Sequence, residues 1–150
     1  PSQEKRSQAS VRKRQQAMLE KLIKNFATYM GITSTLEFDA DGAYVLPIGE
    51  VIKVRVQQNA DSDIVLSTSL GTLPPSADTK KIYLQMMVAN FLGRETGGSS
   101  LGLDPEGQIM MIRKFSGEVS PEDFARHIEC FMNFSEAWLE DLGLNSEQKQ

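Results

Sequence analysis

The chain has 150 residues, 40% hydrophobic and 24% charged, which fits one globular domain around a single core and leaves little room for a second. Sixteen basic against twenty acidic residues give a formal net charge of -4 at pH 7, which argues against a whole-surface nucleic-acid binder, because phosphate affinity needs a concentrated positive field. No apolar run approaches the roughly 18 residues of a membrane helix, no secretory leader pattern opens the chain, and the lone cysteine, Cys130, cannot form an internal disulfide, so a reducing, cytoplasmic setting is expected.

Residues 1–10 are mostly Gln, Ser and charged side chains and are expected to form a flexible basic and polar tail. From about Val11 to Met30 the residues Met18, Leu22, Phe26 and Tyr29, flanked by Leu19, Ile23 and Met30, recur at spacings of three and four. That spacing predicts an amphipathic helix, and Gly31 suits a left-handed cap at its end. The period then changes. Leu36 and Phe38 alternate with polar neighbours, Asp39 to Gly42 has turn chemistry, and Ala43 to Ile48 is a short apolar run, which together predict a hairpin. Ile52, Val54 and Val56 alternate with Lys53, Arg55 and Gln57 to give the clearest strand, and Ile64 to Leu70 gives the next.

Pro74 and Pro75 close that sheet segment before a second helix, expected over Asp78 to Leu92. Its residues Ile82, Tyr83, Met86, Met87, Val88, Ala89 and Phe91 cover most of the circumference, so it needs cover on both sides, and in a small domain the second cover points to another subunit. After the glycine-rich stretch from Gly93 to Ser100, Leu101 and Leu103 precede a turn at Asp104 to Gly107, and Gln108 to Phe115 reads as a mostly buried strand. Ser120 followed by Pro121 opens a third helix carrying Phe124, Ile128, Phe131, Trp138 and Leu142, closed by Gly143. The order helix, strands, helix, strands, helix predicts an α+β domain over residues 11–143, with an antiparallel sheet flanked by three helices. Residues 144–150 are expected to be a flexible polar tail.

Chemistry-bearing clusters are sparse. The Gly93 to Ser100 stretch has glycines five apart, but Ser99 stands where a phosphate loop needs lysine, and the stretch follows a helix instead of a strand. His127 and Cys130, the only residues of their kinds, make a poor metal site and lack a third group to orient a nucleophile and base. The acidic pairs Asp39 with Asp41, Asp61 with Asp63, and Glu122 with Asp123 sit where turns and a helix start favour them. No catalytic residue, cofactor or metal is therefore assigned, and the protein is not expected to be an enzyme. Arg12, Lys13 and Arg14 offer a small basic patch without interleaved aromatics. Seven methionines suit either core gap-filling or a surface that accepts apolar peptides.

The segment from Leu70 to Phe115 carries a resemblance. Leu70, Gly71, Thr72, Leu73 and Pro74 at the entry to the second helix, then Asn90, Phe91, Leu92 and Gly93, then Gly97 and Gly98, and finally Leu101 through Gly107, resemble the class I type III secretion chaperones, the Tir chaperone family. The resemblance implies a bacterial cytosolic, non-enzymatic homodimer. It implies binding to the N-terminal chaperone-binding segment of secreted effectors, held in extended form and kept competent for secretion. The secretion apparatus, through its ATPase or sorting components, is the further partner it implies, with no membrane and no nucleic acid. By the same resemblance the dimer contact falls on Tyr83, Met86, Met87, Val88, Phe91, Leu101 and Leu103, and the effector groove on Met18, Leu22, Phe26, Ile52, Val54 and Val56. The basic residues before the first helix depart from the family's usual beginning. An alternative reading keeps the fold but makes the protein a regulatory adaptor that binds a transcription component or nucleic acid through its basic first helix.

Overall fold

The computed structural model of the chain describes residues 2–32, 37–38, 42–47 and 52–144. Among the described residues three helices and six strands follow one another as α1 (Ser2–Met30), β1 (Glu37–Phe38), β2 (Tyr44–Pro47), β3 (Lys53–Gln58), β4 (Asp63–Gly71), α2 (Thr79–Leu92), β5 (Ser100–Leu103), β6 (Ile109–Ser116) and α3 (Pro121–Asp141). This is the α+β order expected from the pattern. The strands form one antiparallel sheet in the order β1-β2-β3-β4-β6-β5.

The sheet separates a covered face from an open one. Register places Val56 beside Leu66 and Leu66 beside Arg113, so Val54, Val56, Ile64, Leu66, Ile109 and Met111 share the face toward α1 and α3 and are buried there. The opposite face carries Gln57, Ser69, Met110 and Ile112, and Ile112 is 43% exposed. The apolar run of β6 predicts a mostly buried strand, but alternation wins: Ile109 and Met111 go inward, while Met110 is half-buried and Ile112 is exposed. Phe124 at the start of α3 meets Phe26 of α1 and Phe115 of β6 edge-on, with ring centroids 6.1 Å and 6.2 Å apart.

Helix ends follow their local chemistry. Asp78 caps α2, its carboxylate accepting from the Lys81 amide at 3.2 Å, and Gly93 ends that helix at φ +71°. Ser120 caps α3 by accepting from the Asp123 amide at 3.1 Å, with Pro121 in the first turn where its missing N–H costs nothing. At the other end of the chain, α1 begins at Ser2, nine residues before the expected Val11. Lys, Arg, Gln and Ala are good helix formers even where no apolar face demands a helix. Among the described side chains the first buried one is nevertheless Leu19 and the last is Leu144. The turn at 39–41, Leu36 and Ile48 of the expected hairpin, and most of the C-terminal tail lie outside the described residues.

Candidate functional site: an uncovered apolar face on α2 and a cleft beside α1

α2 carries two apolar faces with different fates. Met86 and Ala89 are buried in the core, with Ile82 and Tyr83 packed partly against it. On the other side Leu84, Met87, Val88, Phe91 and Leu92 are 62, 70, 61, 84 and 73% exposed. Their spacing of three, one, three and one draws a continuous stripe along the helix. Leu103, 48% exposed at the end of β5, extends the apolar surface onto the sheet edge. A monomeric protein rarely leaves so many large side chains together in water.

The edge strand beneath this face is held by α2 itself. The Asn90 side chain donates to the Leu101 carbonyl and accepts from the Leu101 amide, both at 2.8 Å. These bonds satisfy backbone groups that β5 would otherwise present unpaired at the sheet edge. The Gly93 to Ser99 loop that joins α2 to β5 then packs on α3, where Trp138 Nε1 donates to the Glu95 carbonyl at 2.8 Å. Gly97, at φ +61°, lies so close to the Phe134 ring that a β-carbon would overlap it.

Of the seven residues assigned to a dimer contact, Met87, Val88, Phe91 and Leu103 lie on the exposed surface and Tyr83 is half-buried. Met86 and Leu101 are 4% and 6% exposed and belong to the core beneath it. Leu84 and Leu92 were missed by the sequence reading. Their signal was present in the stripe, because each sits three or four positions from an assigned residue on the same helical face.

The six residues assigned to an effector groove are distributed differently. Met18 is 50% exposed, but Leu22, Phe26, Ile52, Val54 and Val56 are all at or below 8% and lie between α1 and the sheet. An extended partner cannot touch Val54 or Val56 without opening the core. What the surface does offer near α1 is a cleft of about 400 Å³ between α1 and α3, lined by Asn25, Phe26, Tyr29, Ala125, Arg126 and Glu129 among others. Tyr29 and Met30, 71% and 42% exposed, carry its apolar character out to solvent. Further along α1, Lys24 pairs with Glu20 at 2.9 Å in an exposed bridge. Burial lifts the nearby Tyr44 hydroxyl above its usual range, aided by the Glu20 carboxylate and opposed by Lys24.

Among the described residues, no group of three or more His, Cys, Asp or Glu side chains converges as metal ligands do, and no helix is long and apolar enough to cross a membrane. The arrangement offers apolar contact surface and a polar-rimmed cleft, and the chemistry it supports is binding.

Comparison with known proteins agrees with the geometry. Residues 21–139 match the Tir chaperone protein (CesT) family. A protein of Chlamydia pneumoniae designated CPj0713/CpB0740 is 74% identical over 130 residues, covering 87% of this chain and all of that one. Among solved structures, a chain of the ExsC–ExsE complex superposes with a TM-score of 0.68 at 18% identity, covering 84% of this chain and 94% of that one. A chain of the HopA1–SchA chaperone–effector complex does so with a TM-score of 0.64 at 17% identity, covering 82% and 94%. At these identities the two structures speak to the fold alone.

Proposed function

The chain belongs to the Tir chaperone protein (CesT) family, and from that premise we propose that it is a cytosolic type III secretion chaperone, active as a homodimer and without catalytic chemistry. It binds the N-terminal segment of one or more secreted effectors in extended form and keeps them competent for secretion. The observation that carries this reading is the uncovered stripe of Leu84, Met87, Val88, Phe91 and Leu92 on a folded α+β domain of that family. A second copy packed on the stripe and on Leu103 removes this surface from water, at roughly 25 cal/mol for each Å² of apolar area. The HopA1–SchA chaperone–effector complex, on the same fold, supports the effector half of the proposal.

Effector contact falls on the exposed residues beside α1. Met18, Tyr29 and Met30 supply apolar anchors, and the cleft between α1 and α3 receives a side chain of the bound segment. Leu22, Phe26, Ile52, Val54 and Val56 act from beneath by fixing α1 on the sheet. An extended segment loses conformational entropy on binding, which a long wrapped surface offsets. The secretion apparatus, through its ATPase or a sorting component, then receives the complex.

The test is a pull-down from the source cytosol, followed by protease trimming of what is retained. Protection of an N-terminal segment of a secreted protein, at one copy per dimer, is the expected result. Recovery of no secreted protein would contradict the proposal.

A second reading has its own observation. Lys5, Arg6, Lys13 and Arg14 are all exposed on a part of α1 that buries no described side chain. That surface suits a regulatory adaptor that binds a transcription component or nucleic acid. Phosphate contacts weaken steeply with salt, whereas apolar anchors do not, so a salt titration of the captured complex separates the two readings.

A further inference from the structure

The face on α2 and β5 depends on a loop whose anchor lies elsewhere in the fold. Within the loop, the Gly98 amide donates to the Gly93 carbonyl at 2.9 Å and Thr96 Oγ1 donates to the Ser99 carbonyl at 2.5 Å. These bonds shape the turn, and Trp138 ties its first half to α3 at the Glu95 carbonyl, while the Gly97 carbonyl meets α3 directly only through a long 3.8 Å contact from Cys130 Sγ. Arg113, on the covered face of β6, reaches across. Its Nη1 donates to the Gly97 carbonyl, and its Nε donates to His127 Nδ1 on α3 at 3.0 Å. The His127 ring in turn stacks on Phe115, two residues along β6, with centroids 4.0 Å apart and planes within 7°. One guanidinium thus joins strand, helix and loop.

We propose that Arg113 is a positioning residue for the self-association face: oriented by His127, it clips the Gly93 to Ser99 loop to α3 and so holds α2 and β5 in the relative placement a second copy requires. This rests on the homodimer reading above. Two properties of the cluster support it. A guanidinium can present two donors in fixed directions, to a carbonyl and to an imidazole nitrogen, where a lysine ammonium cannot reproduce the fork. The loop it clips is also the direct connection from Asn90, which brackets Leu101, to β5 itself.

The clip requires a neutral His127 whose Nδ1 carries no proton, because Arg113 is always the donor. Burial, and then the Arg113 charge, hold the His127 pKa below the ordinary imidazole value of 6.5, with Asp123 opposing. The groups that face His127 are Arg113 and Phe115 from β6, the Gly97 carbonyl through Arg113, and Asp123, Arg126 and Cys130 along α3. Protonation removes the acceptor and sets two cations side by side. Since the folded state binds this proton less readily than the unfolded chain, the clip is complete above about pH 6.5 and is lost as pH falls through the lowered value.

The experiment uses the full chain, with Arg113→Lys and His127→Gln variants, and reads two quantities separately: amide exchange at residues 97–99 and the self-association constant from sedimentation. Arg113→Lys is expected to speed loop exchange and weaken association about tenfold, with exchange in β3 and β4 unchanged. Wild-type association is expected to weaken as pH falls below about 6.5, and His127→Gln, which accepts a hydrogen bond but does not titrate, is expected to remove that dependence. Faster loop exchange with unchanged association would overturn the positioning role, as would a pH profile that His127→Gln leaves intact. If Arg113→Lys does not fold, the His127→Gln comparison decides. A wild-type chain that never self-associates would instead sink the homodimer reading, and the loop exchange would still report whether the clip exists.

Discussion

α1 and α2 both carry long apolar side chains, yet Leu19, Leu22, Ile23 and Phe26 of α1 are at most 8% exposed, whereas Leu84, Met87, Val88, Phe91 and Leu92 of α2 are 61 to 84% exposed. Those four residues of α1 lie on one stripe covered by the sheet and α3, while Met18, Tyr29 and Met30 at its margin stay exposed. The apolar residues of α2 lie on two faces, and the fold covers only one. A fully buried Phe or Leu gains about 1.5–3 kcal/mol over an exposed one, so α2 forgoes several such contributions within the monomer. The difference teaches where the chain covers its own apolar surface and where it does not: α1 is sealed into the domain, and the second face of α2 is left open.

Four substitutions or deletions break or sharpen that contrast. Replacing Leu22 and Phe26 together by Asn removes two core side chains and buries two amides without partners. The expected loss is about 6 kcal/mol or more, comparable with the whole stability of a small domain, so circular dichroism should show an unfolded chain. A folded double variant would mean that α1 is not part of the core. On α2, Met87→Asp with Phe91→Asp places two charges in the exposed stripe. Self-association should fall by more than about 100-fold while the urea stability of the monomer moves by less than about 0.5 kcal/mol per site; an unchanged mass by light scattering would remove this face as the contact. Asp78→Ala deletes the cap that starts α2 and should cost about 1 kcal/mol in a denaturant titration. Deleting residues 2–17, whose described side chains are all exposed, should change stability by less than about 0.5 kcal/mol; a larger loss would mean that the basic half of α1 is tied to the body.

Much of the fold was legible because its signals are local. Asp78 and Gly93 bracket α2 and Ser120 with Pro121 opens α3, since caps are decided by backbone groups a few residues away. Alternation in Lys53 to Gln58 gave β3 its inner and outer faces. The start of α1 was not legible, because Lys, Arg and Gln favour helix without leaving an apolar trace. Exposure was harder still. A stripe such as Leu22 and Phe26 says that a face must be covered but not by what, and the groove assignment placed a partner where the chain's own sheet lies. For α2 the apolar girth marked a helix with two apolar faces, yet it did not separate buried Met86 from exposed Leu84. Arg113 and His127 sit on a strand and a helix 14 residues apart, and no spacing rule joins them.

The most direct test of the central claim is the mass of the unmodified chain in solution, by light scattering at tens of micromolar. The uncovered face on α2 predicts a species of twice the chain mass that becomes monomeric in the Met87→Asp, Phe91→Asp variant. A monodisperse wild-type monomer, with Phe91 and Leu92 still open to solvent, would contradict the account.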